Sequence, residues 1–116
     1  MSDQDGRGIY EIDFADFGGP IYIGRKKGEE SRKSSGIEGA VRDGLKIELR
    51  VPQDVLAINS SFILGFLGPE LRAATNITEF LDKFNFLATS DQWSDFLRDE
   101  IVQAMTHAKF KNSPLL

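Results

Sequence analysis

Ser60 and Ser61 are the residues whose type and setting first suggest chemistry. They stand in Asn59-Ser60-Ser61-Phe62, directly ahead of an apolar run that reaches Leu67. A serine there is a good N-cap: its hydroxyl can accept a hydrogen bond from a free N–H of the first helical turn, an arrangement worth about 1 kcal/mol. The same position suits a phosphoryl group, because those N–H groups and the helix dipole stabilise an anion. A second candidate is the polar stretch Gly24 to Ser35, where Arg25, Lys26, Lys27, Arg32 and Lys33 stand against Glu29 and Glu30. Clustered cations of this kind can meet phosphates or an acidic partner. Here, however, two glutamates interrupt them and no aromatic residue interleaves for base stacking. The chain also lacks any G-x-x-x-x-G-K-[ST] phosphate loop. The plain reading is a solvated, mobile loop, with docking of an acidic partner as its functional competitor.

The rest of the inventory mostly excludes. The chain has no cysteine, which removes disulfides, thiol catalysis and thiolate metal sites. His107 is the single histidine, so multi-histidine metal sites are gone as well. Near the end of a helix it complements the dipole and needs no other role. Ser60 with His107 and an aspartate would be a triad in composition only, since no G-x-S-x-G elbow is present. Asp13, Asp16 and Asp54 are scattered, with neither calcium-loop nor paired acid/base spacing. Nothing calls for a cofactor or a metal.

The 116 residues carry 14 Lys+Arg and 18 Asp+Glu, a net charge of −4, with 41% hydrophobic residues. This describes one folded domain with an ordered core over about 9–110, and a mildly acidic balance argues against a nucleic-acid partner. The charge is uneven: residues 1–17 sum to −4, 18–69 to +2, 70–108 to −4 and 109–116 to +2. No apolar run has the length of a membrane span. The start, Met1 to Gly6, is acidic and polar, unlike an export signal, so the cytoplasm is the expected compartment. The sequons at Asn59 and Asn76 then read as chance matches.

The elements that must position these residues follow from patterning. In Ile9–Phe14, Tyr10, Ile12 and Phe14 share one face of a strand. Gly18-Gly19-Pro20 breaks the chain before a short strand Ile21–Ile23, which reads as an antiparallel hairpin with the first. Ser35-x-x-Glu38 and Gly44 bracket a short helix over about 36–43. Leu45–Val51 alternates without error, so one face is buried and the other solvated or lightly covered. Val55–Ile58 continues extended, and a buried helix begins at Phe62, with Pro69 placed to kink it. A helical turn at Ile77–Leu81 and a strand at Lys83–Leu87 follow. The last helix opens on the capping box Thr89-x-x-Gln92, with Trp93, Phe96, Leu97, Ile101, Ala104, Met105 and Ala108 on its inner stripe. Asn112 to Leu116 reads as a frayed end, and no internal repeat is visible. The order β-β-(α)-β-α-β-α predicts an α/β domain, a small mixed sheet of about four strands with helices packed on it. The strands at 45–51 and 83–87 should be parallel through a crossover.

From Leu45 to Phe66, the alternating strand, the connection Val-Pro-Gln-Asp-Val-Leu-Ala-Ile and Ser-Ser-Phe opening an apolar helix, with Leu67-Gly68-Pro69 behind it, resemble STAS-like domains of unknown function. Phe80-Leu81-x-Lys83-Phe84-x-Phe86 and the closing helix are similar to that family too. The likeness spans about residues 9–110 in element order, and Ile58–Leu71 in sequence. It implies an α/β module that acts by binding another protein, a histidine-kinase-like ATPase or a regulator it controls. In the anti-sigma factor antagonist branch a serine at the start of the corresponding helix is phosphorylated, and Ser60, beside Ser61, falls at that place. That branch has an aspartate where this chain has Asn59, and a glycine where it has Phe62. The expectation is a non-catalytic regulatory binding module. A small-anion or nucleotide binder, or an enzyme, using residues 24–35 is one alternative; a self-associating scaffold, such as a homodimer, is another. No nucleic-acid or membrane partner is expected.

Overall fold

The computed structural model describes residues 8–88 and 91–110, apart from the side chain of Asp91. The expected capping box at Thr89, the acidic start and the end beyond Phe110 lie outside the described residues.

Three strands form one parallel sheet, β1 (Ile9–Asp13), β3 (Lys46–Arg50) and β5 (Phe84–Leu87), in the order β1-β3-β5. Two shorter ones, β2 (Ile21–Tyr22) and β4 (Ala57–Ile58), pair separately and are also parallel. The parallel relation of β3 and β5 is as the sequence predicts. Among the described residues the antiparallel hairpin and the mixed four-stranded sheet are not found. The reason lies in the connection after β1. The Asp13 carboxylate accepts from the Ala15 N–H at 2.9 Å and caps a 3-10 turn over Phe14–Phe17. Gly18 ends that turn at φ 79°. The chain therefore leaves β1 on a new course, and β2 pairs with a strand 36 residues away instead of folding back (Ile21 opposite Ala57).

The helices are α1 (Arg25–Ser35), α2 (Ile37–Arg42), α3 (Ser60–Ala73), α4 (Ile77–Lys83) and α5 (Asp91–Phe110). The expected helix over 36–43 is α2, and Gly44 beyond it adopts φ 78°, the left-handed stop. The mobile loop expected over 24–35 is instead helical. No residue of α1 from Arg25 to Ser35 is apolar, so periodicity says nothing about it. Its buried residues are Gly28 and Ser31, and this small-residue face lets its backbone lie against that of α3. A β carbon on Gly28 would sit 2.2 Å from the Phe62 carbonyl oxygen, and one on Gly65 2.2 Å from that of Arg25. Its Arg, Lys and Glu residues favour a helix, and docking on α3 stabilises one too short to stand alone.

Strand, short strand, helix, helix therefore occurs twice: β1-β2-α1-α2, then β3-β4-α3-α4. Sequence comparison misses this repeat because the two units are buried differently. Helix α3 lies between α1 and α5 and is apolar nearly all round, with Phe62, Ile63, Phe66, Leu67 and Leu71 buried. By contrast α1 packs mainly on α3 and stays polar. Leu67 leaves helical geometry (φ −124°) two residues before Pro69, the expected kink.

Tyr10 and Ile12 of β1, Ile47 and Leu49 of β3, and Phe84 and Phe86 of β5 lie in register on one sheet face and join the core. Phe14, Tyr22, Phe62 and Phe66 meet beside it with ring centroids 5.5–5.9 Å apart, in tilted, edge-on and stacked pairs. On the opposite sheet face Ile9, Glu11, Lys46, Arg50 and Asn85 are exposed, as the alternation of residues 45–51 predicts. The inner stripe of α5 is buried at Leu97, Ile101, Ala104, Met105 and Ala108. Phe96, expected there too, is exposed, its ring edge-on to the half-buried Trp93. Among the described residues no helix is long and apolar enough to cross a membrane.

Candidate functional site

Because β2 and β4 run parallel, the helices that follow them start side by side. Asn59 joins the two starts. Its side-chain oxygen accepts from the Phe62 N–H at 3.0 Å, capping α3, and from the Gly24 N–H at 3.4 Å, just ahead of α1. The Asn59 N–H in turn donates to the Tyr22 carbonyl at 3.2 Å. The expectation that Ser60 or Ser61 caps this helix is thus corrected: an asparagine already extended at φ −123°, ψ 169° takes the role, and both serines fall inside the first turn. Ser60 is half-buried and Ser61 exposed, and neither hydroxyl makes a hydrogen bond among the described residues. The second sequon asparagine, Asn76, is also a cap, accepting from Glu79 N–H at 2.9 Å. Both sequons thus coincide with helix starts, where asparagine and Ser/Thr are favoured for local hydrogen bonding.

The five cations of 24–35 are spread around α1 and do not converge on Ser60. Arg25 pairs with Glu29 at 3.4 Å on the surface. Lys27 Nζ donates to the carbonyls of Gly18 (3.2 Å) and Ile21 (3.0 Å) and lies 5.5 Å from the Tyr22 ring centre. Arg32 turns inward. Its Nη1 and Nη2 meet the two Glu70 carboxylate oxygens at 2.7 and 2.8 Å, Nη1 also donates to the Phe66 carbonyl at 2.8 Å beside the α3 kink, and Nε reaches Glu38 at 3.1 Å. Both side chains of the Arg32–Glu70 pair are only 11% exposed. The Glu70 hydrogen bonds hold the guanidinium more firmly protonated than usual, outweighing its desolvation. Lys26 and Lys33 remain exposed on the outer face of α1, with Glu29 and Glu30 exposed between them in sequence. Glu70 carries no signal in the sequence, since its partner is 38 residues away.

His107 is exposed in the last turn of α5. Among the described residues no three His, Asp or Glu side chains gather as a metal site. Cavities of about 420 and 290 Å³ open among the described residues, and neither of these is lined by Asn59, Ser60, Ser61 or the five cations.

Sequence reasoning missed an apolar feature at this end of the molecule. Ile21 and Ile23 are each 48% exposed and Leu56 is 69% exposed. Ile21 pairs with Ala57, and Leu56 N–H donates to the Pro20 carbonyl at 2.9 Å, so the three lie along the β2–β4 ribbon that leads into Asn59 and Ser60. The signal available was the run Ile21-Tyr22-Ile23, whose alternation buries Tyr22 and leaves its neighbours outside.

Comparison with protein families, with curated proteins and with solved structures gives no match.

Proposed function

We propose that this chain is a non-catalytic regulatory module that binds another protein through the β2–β4 ribbon and the adjoining start of α3. The exposure of Ile21, Ile23 and Leu56 beside Asn59, Ser60 and Ser61 is the observation that carries this reading. Clustered exposed aliphatic side chains with a polar rim mark protein-binding surfaces. The STAS-like resemblance supports the same reading and would make the partner a histidine-kinase-like ATPase or a regulator controlled with it. It also places a phosphorylation switch at Ser60 or Ser61. The two hydroxyls have no bonding duty among the described residues, so modification there breaks no hydrogen bond of the fold. A phosphoryl group in the first turn meets free N–H groups, and its charge would stand next to an apolar contact surface and release the partner.

The test is site-specific photo-crosslinking in cells from position 56, with position 99 on α5 as control. A protein adduct from 56 alone, lost in Ile21→Asp/Ile23→Asp and in Ser60→Asp but kept in Ser60→Ala, is the expected result. Adducts that form equally from both positions, or persist when the isoleucines are replaced, overturn the assignment of the surface. An adduct containing a second copy of the chain favours the self-associating scaffold instead. Equal crosslinking by the two Ser60 variants removes the switch.

A further inference from the structure

At the far end of α3, roughly 20 Å from Ser60 by helix rise, the cavity of about 420 Å³ opens between the α2–β3 turn, the end of α3 and α4. Its size lies within the range of small-molecule sites. Leu45, Ala74, Phe80 and Phe84 form apolar wall, with Phe80 and Phe84 stacked at 4.6 Å.

Four charged residues complete the lining: Lys46, Lys83, Glu70 and Glu79. Both carboxylates already have donors. Glu70 is clasped by Arg32 through two bonds, and Glu79 accepts from the Thr75 N–H at 2.6 Å, which holds its carboxyl below the usual range with help from Lys83 and Lys109. Neither ammonium group of the lining makes a hydrogen bond or a close ion pair among the described residues. A further cation stands at the rim, since Lys109 Nζ donates to the Ala74 carbonyl at 2.6 Å. The charges of the lining balance, Lys46 and Lys83 against Glu70 and Glu79. The two carboxylates are already bonded to donors whereas the two ammonium groups are not, which leaves the cations as the groups open to a ligand.

We infer that this cavity binds a monocarboxylate with an apolar body, such as a medium-chain fatty acid or an arylalkanoate. The hydrocarbon packs against Phe80, Phe84 and Leu45, and the carboxylate faces Lys46 and Lys83. A cationic amphiphile would meet two unpaired ammonium groups and carboxylates whose donors are already in place. A neutral alcohol would gain only the apolar contact. The inference does not depend on the protein-binding surface, which lies at the other end of α3.

Octanoate, 1-octanol and octylamine titrated into the ¹⁵N-labelled protein provide the test. Octanoate should shift the amides of Leu45, Ala74 and Phe80, and bind about tenfold more tightly than 1-octanol, the scale of two partly exposed charge contacts. Octylamine should bind more weakly than either. Lys46→Met/Lys83→Met, checked as folded by its own spectrum, should bring octanoate to the affinity of the alcohol. Absence of shifts at these amides, shifts centred elsewhere, equal binding of acid and alcohol, or an unchanged preference in the double variant would each overturn the inference.

Discussion

Replacing Gly28 by alanine tests the account of α1 because two effects of known size oppose each other. In a helix interior the change is favourable by about 1 kcal/mol on propensity alone. Against that, the new β carbon would stand 2.2 Å from the Phe62 carbonyl oxygen and 2.9 Å from the Phe66 nitrogen, both backbone atoms that no rotamer change can move. Reaching a tolerable 3.0 Å requires α1 and α3 to part by most of an ångström. A gap of that size forfeits roughly a quarter to a half of the dispersion well across the contact, and overpacking of this kind costs about 1–3 kcal/mol or more. It also lengthens the 2.7 and 2.8 Å bonds between Arg32 and Glu70, which span the same two helices. The clash should win, leaving Gly28→Ala less stable by about 1–3 kcal/mol in urea unfolding, with an unchanged slope. Gly39 is the control. In α2 its added β carbon would meet only Arg42 Nη2 at 3.6 Å, an ordinary contact, so Gly39→Ala should be neutral or stabilising by up to about 1 kcal/mol. Equal or greater stability of Gly28→Ala relative to wild type would refute the close packing of α1 on α3.

Glu70→Gln leaves the Arg32 guanidinium with a neutral acceptor in place of a carboxylate and with the exposed Glu38 as its remaining charged partner among the described residues. It should cost about 2 kcal/mol in chemical denaturation, the scale of a hydrogen bond to a charged group. Arg32→Met/Glu70→Met should recover a large part of that loss, and a double variant no better than the single would count against the pair as the origin. Tyr22 governs an alkaline limb. Its phenol lies in the core and donates to the Phe14 carbonyl at 2.9 Å; burial, then Asp54 and Asp13, raise its pKa above the ordinary 10.0. Above pH 10 the unfolded chain releases this proton while the native one keeps it, so the stabilisation is full below pH 10 and falls as pH rises through the native value. Tyr22→Phe should lose about 1 kcal/mol at neutral pH with the hydrogen bond, and show a flatter fall in urea midpoint from pH 9 to 11. Parallel slopes for the two proteins would contradict the assignment.

Most elements were legible where burial repeats at a fixed period. Alternation over residues 45–51 located β3 and its open face. Both Gly44 and Pro69 acted as their backbone chemistry demands, the first as a left-handed stop and the second at a kink. Failures occurred where the period is silent. Helix α1 has no apolar residue, and its burial shows only through the close approach of Gly28 to Gly65. The cap of α3 went to Asn59 and not to a serine because the β2–β4 pairing delivers that residue in extended form, with Gly24 N–H within its reach. Phe96 fits the apolar stripe of α5 yet stays exposed, because a stripe has edges and the sequence does not say how wide the neighbour is.

By itself, then, the chain determined that the domain is α/β, where its strongly periodic strands and helices lie, and that thiol chemistry is closed to it. These follow from side-chain types and spacing, which act over a few residues. The tertiary structure decided which strand pairs with which, that Arg32 belongs to Glu70, and that the basic residues are spread around a helix. It alone brought Ile21, Ile23 and Leu56 to the start of α3 and formed the cavity beside Lys46 and Lys83. Those relations join residues that are far apart in sequence, through contacts that depend on shape and backbone approach, and no local pattern encodes them.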